Sequence, residues 1–224
     1  MTIDEAMKEL ERAGTAQNRK VYARHGIGER MFGVSFAAVR ALAKTIRVDH
    51  ELARGLWATG NHDARVLATM VAEPERFDRR TLDRWSKDLD NYVITDAFAQ
   101  LVSRSELVRE KMEAWTAGEG EWVSRAGWRL LSYLALEHDD IADDLFEERL
   151  GVIEREIHAR PNRTRDAMNG ALIAIGLRNP SLEKKAVAAA KRIGKVDVDH
   201  GETSCETPDA AAYIAKAKAR RRSR

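Results

Sequence analysis

Apolar residues recur every three to four positions along most of this chain, the period of an amphipathic helix rather than the alternation of a strand. Ile3, Met7 and Leu10 share one face of a first predicted helix, and Phe36, Val39, Leu42, Ala43 and Ile46 mark another. Val34 and Ser35 read as the approach and N-cap of that second helix. The stretch from Tyr22 to Gly33, with three glycines, reads as a connection.

From residue 50 onward the chain repeats itself. Helices with a late tryptophan end near Trp57, Trp85 and Trp115, and each is followed by a polar turn and a more apolar second helix. The second helices begin around Asp63-Ala64, Asp96-Ala97, Arg125-Ala126 and Asp166-Ala167, at intervals of 33, 29 and 41 residues. Two amphipathic helices with their turns need about that length. The predicted fold is therefore all-α, an α-solenoid of HEAT-like helix pairs with a concave face. Neither pair can bury its apolar side alone, so neighbours stack and the second helices line the inner face. Asp63, Asp96, Arg125 and Asp166 would then form a ladder, either functional or a set of salt bridges that fixes the stacking. Trp57, Trp85 and Trp115 are expected in the core.

The repeat domain is placed at 1–195. Residues 196–224 form a loop with at most one short strand, a short helix and a basic tail, packed on or trailing from the same domain. That helix is expected over Asp209 to Lys218, with Thr207 as N-cap and Pro208 at its first position.

Composition narrows the function classes. The chain has 224 residues, 44% hydrophobic and 33% charged, which is a folded rather than a disordered composition. No apolar run approaches the roughly 20 residues that cross a bilayer, so no membrane role is expected. The acidic, amphipathic start Met1 to Arg12 does not read as a secretion signal. The single cysteine, Cys205, has no internal disulfide partner and fits a reducing compartment. A cytoplasmic monomer is expected, nucleoid-associated when bound to DNA. The net charge is +2, yet the last twelve residues hold six basic side chains and no acid, so the remainder is −4. Any basic groove must be a local patch, and the tail itself is a candidate for phosphate contact.

Two segments gather candidate chemistry. In Asp90-Asn-Tyr-Val-Ile-Thr-Asp96, Asn91 can cap a helix while Tyr92 and Asp96 share a face at i,i+4. In Trp122-Val-Ser-Arg125, Trp122 and Arg125 share a face, and Arg129 follows one turn later. Arg40, Lys44, Arg65, Arg163 and Arg165 stand near the starts or inner faces of second helices and are candidate phosphate contacts. The histidines lack metal-ligand spacing. The cluster of Asp197, Asp199, His200, Glu202 and Cys205 reads as a hydrogen-bonded loop rather than a cation site. No metal and no cofactor are expected.

Read in order, Met31-Phe-Gly-Val34, Val39 to Lys44, Leu52 to Trp57, Asn61 to Arg65, Asp90 to Asp96 and Trp122 to Ala126 resemble the AlkC/AlkD-type DNA alkylation repair proteins. The resemblance covers roughly residues 20 to 180, and the segment from Val198 to Ala210 is similar to a C-terminal extension found in one branch of them. The resemblance implies a HEAT-like solenoid holding damaged or distorted duplex DNA, and excision of N3- and N7-alkylated purines without base flipping. Such a purine is already cationic, so a carboxylate beside the sugar can stabilise the breaking bond and place water. By position Asp96 matches the family's carboxylate, and Arg125 the arginine that holds it or a phosphate. Tyr92 and Gly170 stand where the family's enzymes carry two tryptophans around the lesion. Trp122 or Trp128 are the rings that could compensate. Three readings follow: glycosylase-like excision, non-catalytic binding of distorted or branched DNA, and a protein–protein scaffold.

Overall fold

The computed structural model describes residues 1–222; Arg221 and Arg222 are placed as helical backbone, and Arg224 of the basic tail lies outside the described residues. Among the described residues all regular structure is helical, apart from one isolated antiparallel bridge between Gly14 and Val34. Contacts divide the chain into two compact units. One comprises residues 1–106 with 200–204, and the other residues 107–199 with 205–224.

The first unit holds α1 (Ile3–Ala13), α2 (Ala16–Arg24), α3 (Phe36–Ile46), α4 (His50–Ala58), α5 (His62–Val71), α6 (Arg79–Ser86) and α7 (Tyr92–Val102). The local sequence sets their starts. Asp49 and Asp78 cap the tryptophan-bearing α4 and α6, while Asn61 and Asn91 cap the more apolar α5 and α7. Each cap oxygen accepts an otherwise unpaired amide of the first turn. α3, α5 and α7 pack in succession, as second helices of stacked pairs should. Behind them the Trp57 and Trp85 rings stack, with centroids 4.1 Å apart and planes 6° from parallel. Phe77 and Phe98 close around that pair.

The second unit holds α8 (Val108–Ala117), α9 (Glu121–Glu137), α10 (Asp143–Glu156), α11 (Asn162–Arg178), α12 (Pro180–Ile193) and α13 (Ala210–Arg222). α9 packs between α8 and α11, and α11 also carries α12 and α13. Gly127 permits the closest approach. A Cβ there would lie 2.5 Å from the Thr116 amide nitrogen and 2.8 Å from the Trp115 carbonyl carbon.

Several sequence expectations shift in detail. α2 is not marked by the apolar pattern, and its last turn falls in the stretch from Tyr22 that reads as a connection, because its sequence buries no residue and shows no apolar stripe. On α1 the buried positions are Ala6 and Leu10, whereas Ile3 is 40% exposed. The Val34–Ser35 approach is as expected, with Ser35 accepting from the Ala38 amide, yet Phe36 is 41% exposed rather than core. The last helix begins at Ala210. Asp209 accepts from the Ala212 amide there, so its carboxylate, not Thr207, performs the capping. Residues 194–208 contain no strand.

The α8–α9 contact leaves no room at Gly127. Gly127→Ala should destabilise the protein by about 1–3 kcal/mol, read as a lower thermal midpoint with helix content at low temperature unchanged. An unshifted midpoint would contradict this packing.

Candidate nucleic-acid interface

Three of the four recurring positions stand at the same place in their helices, and the fourth is displaced. Asp96, Arg125 and Asp166 are each the fifth residue of their helices, α7, α9 and α11, whereas Asp63 is the second residue of α5. The fifth residue of α5 is Val66, which is buried. Asp63 does something else. Its Oδ2 accepts from the Phe32 and Gly33 amides at 2.6 and 3.1 Å, and its Oδ1 from the Val34 amide at 2.9 Å. One buried carboxylate thus gathers three consecutive amides and ties the segment after α2 to the start of α5. Gly33 is required at the centre of that turn. Its φ is +78°, and its Cα side faces the Arg19 nitrogen and the Thr15 carbonyl oxygen at 2.8 Å from where a Cβ would sit.

That tie shapes a cavity of about 250 Å³ in the first unit. Its walls include Val21, Val34, Val39 and Val66 with five rings, Tyr22, His25, Phe36, His62 and Tyr92. The Tyr92 hydroxyl hydrogen-bonds His25 Nδ1, and the Tyr22 hydroxyl donates to the Val34 carbonyl at 2.7 Å. Tyr22 meets His62 edge-on at 6.2 Å between centroids, and His25 meets Tyr92 likewise at 5.9 Å. Burial holds the His62 imidazole below its ordinary pKa, against the pull of Asp63 and Asp90, so it is neutral at physiological pH. The Tyr22 phenol is pushed up, first by burial and then by Asp63.

Asp96 follows Tyr92 by one turn of α7 and is half-buried. Of the basic candidates in this unit, Arg40 and Lys44 are exposed on α3 and form no ion pair among the described residues. The Arg40 guanidinium lies 5.1 Å from the centroid of the exposed Phe36 ring. Arg65 differs from its expected role. It donates to the carbonyls of Trp57 and Asp88 at 3.3 and 3.0 Å and lies 3.5 Å from the Asp88 carboxylate, so it braces the Trp57 turn.

In the second unit Arg125 is nearly sealed, at 4% exposure. Its Nη1 donates to the Arg163 carbonyl at 3.0 Å and to the Asp166 carboxylate at 2.7 Å. Here the ladder is a salt bridge between consecutive second helices. Arg163 also receives an anchor, since its amide donates to Glu121 Oε1 at 2.7 Å. Trp122 is half-buried near the start of α9, and Arg129 lies over the Tyr133 ring at 5.6 Å. Arg165 is half-buried, and its Nε has no hydrogen-bond partner among the described residues. A Cβ at Gly170 would meet nothing nearer than Arg129 Nη1 at 3.9 Å. Trp128 is wholly buried in the core of its unit.

The C-terminal loop closes on itself. Lys195 pairs with Asp197 at 2.7 Å, and Asn162 exchanges two hydrogen bonds with the Asp199 backbone. Among the described residues no group of three or more His, Cys, Asp or Glu side chains is arranged to hold a metal ion. No described helix is long and apolar enough to cross a membrane.

Stacked helix pairs with these second helices place the chain among the HEAT-like repeat proteins. It belongs to the DNA alkylation repair enzyme family, whose model matches residues 6–214. An uncharacterised protein of Listeria innocua is 27% identical over 98% of this chain and 99% of its own, and one of Listeria monocytogenes is 26% identical with the same coverage. A solved structure superposes with a TM-score of 0.91 at 31% identity, covering 99% of this chain and 96% of the other. It is described as representing a new family of proteins related to the HEAT-like repeat DNA glycosylases, with affinity for branched DNA structures.

Sequence reasoning singled out Tyr92, Asp96 and Arg125 and passed over Tyr22, His25 and His62, which line the cavity with Tyr92. The first two stand i,i+3 on and just after α2, a helix without an apolar period, and His62 hides as an ordinary first-turn residue. Because Arg125 bridges α9 to α11, Arg125→Ala should cost about 2–4 kcal/mol in urea unfolding. A loss below about 0.5 kcal/mol, on the scale of an exposed pair, would show that the contact is not structural.

Proposed function

We propose that this chain binds branched or otherwise distorted duplex DNA by shape, through phosphate contacts, without needing to remove a base. The branched-DNA affinity of the superposable solved protein carries this reading. Two observations in this chain agree with it. Arg40 and Lys44 are exposed on α3 and form no ion pair among the described residues, so a phosphate can meet their charge. Tyr92 and Gly170 replace the two tryptophans that the family's excising enzymes set around a lesion, and the guanidinium of Arg125 is held by Asp166 inside its own unit.

The family description favours a second reading, excision of a cationic alkylpurine. Asp96 is its agent: half-buried one turn after Tyr92, it can stabilise positive charge on the sugar and orient water.

The two readings separate cleanly. For binding, fluorescence anisotropy with a three-way junction should show an affinity that falls linearly in log–log with salt. Replacing Arg40 and Lys44 together by alanine should reduce that slope by about 2, near 0.9 per phosphate contact. No junction binding at low salt overturns the proposal. For excision, release of methylated purine above background that Asp96→Asn abolishes, with folding intact, would establish the enzyme instead.

A further inference from the structure

The cavity beside Tyr92 and the depression next to it together have the make-up of a nucleotide site. Phe36 lines both. One is the apolar cavity, walled by Tyr22, His25, His62 and Tyr92. The other is a polar depression of about 270 Å³, flanked by Arg40 and Arg104. Neither arginine forms an ion pair among the described residues, and both are exposed. The two compartments, which share Phe36, thus differ in chemistry: one is apolar and ring-lined, the other polar and cationic. A nucleotide has the same division between its base and its phosphate.

We infer that the first unit captures one unstacked nucleobase of a DNA branch point in the cavity between Tyr22, His62 and Tyr92, with the adjoining phosphate on Arg40 and Arg104. This rests on the proposed binding of branched DNA and says which feature of the branch is read.

Four arguments support it. The cavity is smaller than the roughly 300–1,000 Å³ of sites for drug-sized ligands, which suits a single planar ring system. Aromatic faces accept any base by stacking, so the site needs no sequence preference. Asp63, which also lines the cavity, is already satisfied by three amides, so no bare carboxylate repels the ligand. Finally, extrusion from a paired duplex costs unstacking energy, whereas a junction offers bases already unpaired. Branched DNA is therefore the substrate from which such a pocket draws most.

The test uses the full chain and two three-way junctions, one fully paired and one with a single unpaired 2-aminopurine at the branch point. Wild type should quench the 2-aminopurine fluorescence by stacking and bind the unpaired junction about tenfold more tightly than the paired one. Val93→Trp, which fills the cavity from its half-buried rim, should abolish both the quench and the preference while leaving affinity for the paired junction. Phe36→Ala, a surface change, should reduce the preference severalfold even if Val93→Trp does not fold. If wild type binds both junctions equally with no quench, or keeps quench and preference in both variants, the base site is overturned while DNA binding stands. If wild type binds neither junction, the base site and the proposed function fail together.

Discussion

A single buried carboxylate organises the first unit. Asp63 sits at the start of α5, a position with spare helix amides of its own, yet it reaches outward to three consecutive amides of residues 32–34. An ionised carboxylate removed from water is stable only when its oxygens are saturated with donors. The turn at Gly33 supplies them in one step. Because the tie fixes the segment between α2 and α3, it also fixes Tyr22, Val34 and Phe36, and with them the wall of the cavity and the seat of Arg40. An asparagine would keep the shape but lose a strong acceptor, so the charge itself matters.

Much of the architecture could be read from the residues. The tryptophans at the ends of α4, α6 and α8, the Asn91 cap, and the intervals of about thirty to forty residues between second helices all express one requirement: each helix pair must stack on the next to bury its apolar side. The ladder was legible for the same reason, except at Asp63. There the recurring acid–Ala pair masked a shift of three positions, visible only when the helix starts are counted from their caps. What could not be read were contacts across long sequence separations. Nothing local announces that Arg125 meets Asp166, that Arg65 braces Asp88, or that His25 and Tyr92 share a hydrogen bond. α2 escaped because it is held by its neighbours rather than by an apolar face of its own.

The same long-range contacts redistribute the residues that resemblance to the repair family picks out. Arg125 keeps its place in the pattern but is nearly sealed within its unit, where it joins two helices. Tyr92 keeps a ring where a tryptophan is expected, and its hydroxyl is turned to His25. In the proposed reading, a family scaffold keeps its charged residues for stacking while recognition passes from rings that embrace a cationic lesion to a cavity beside exposed arginines. Such a surface would read backbone geometry and unpaired bases more readily than methylation.

Hydrogen–deuterium exchange of the full chain, free and bound to a three-way junction, tests this account most directly. Binding should slow exchange in residues 22–46 and in the first turns of α7, around the Asp63 tie and the cavity. Junction binding confirmed by anisotropy, with those segments exchanging as in the free protein, would contradict it.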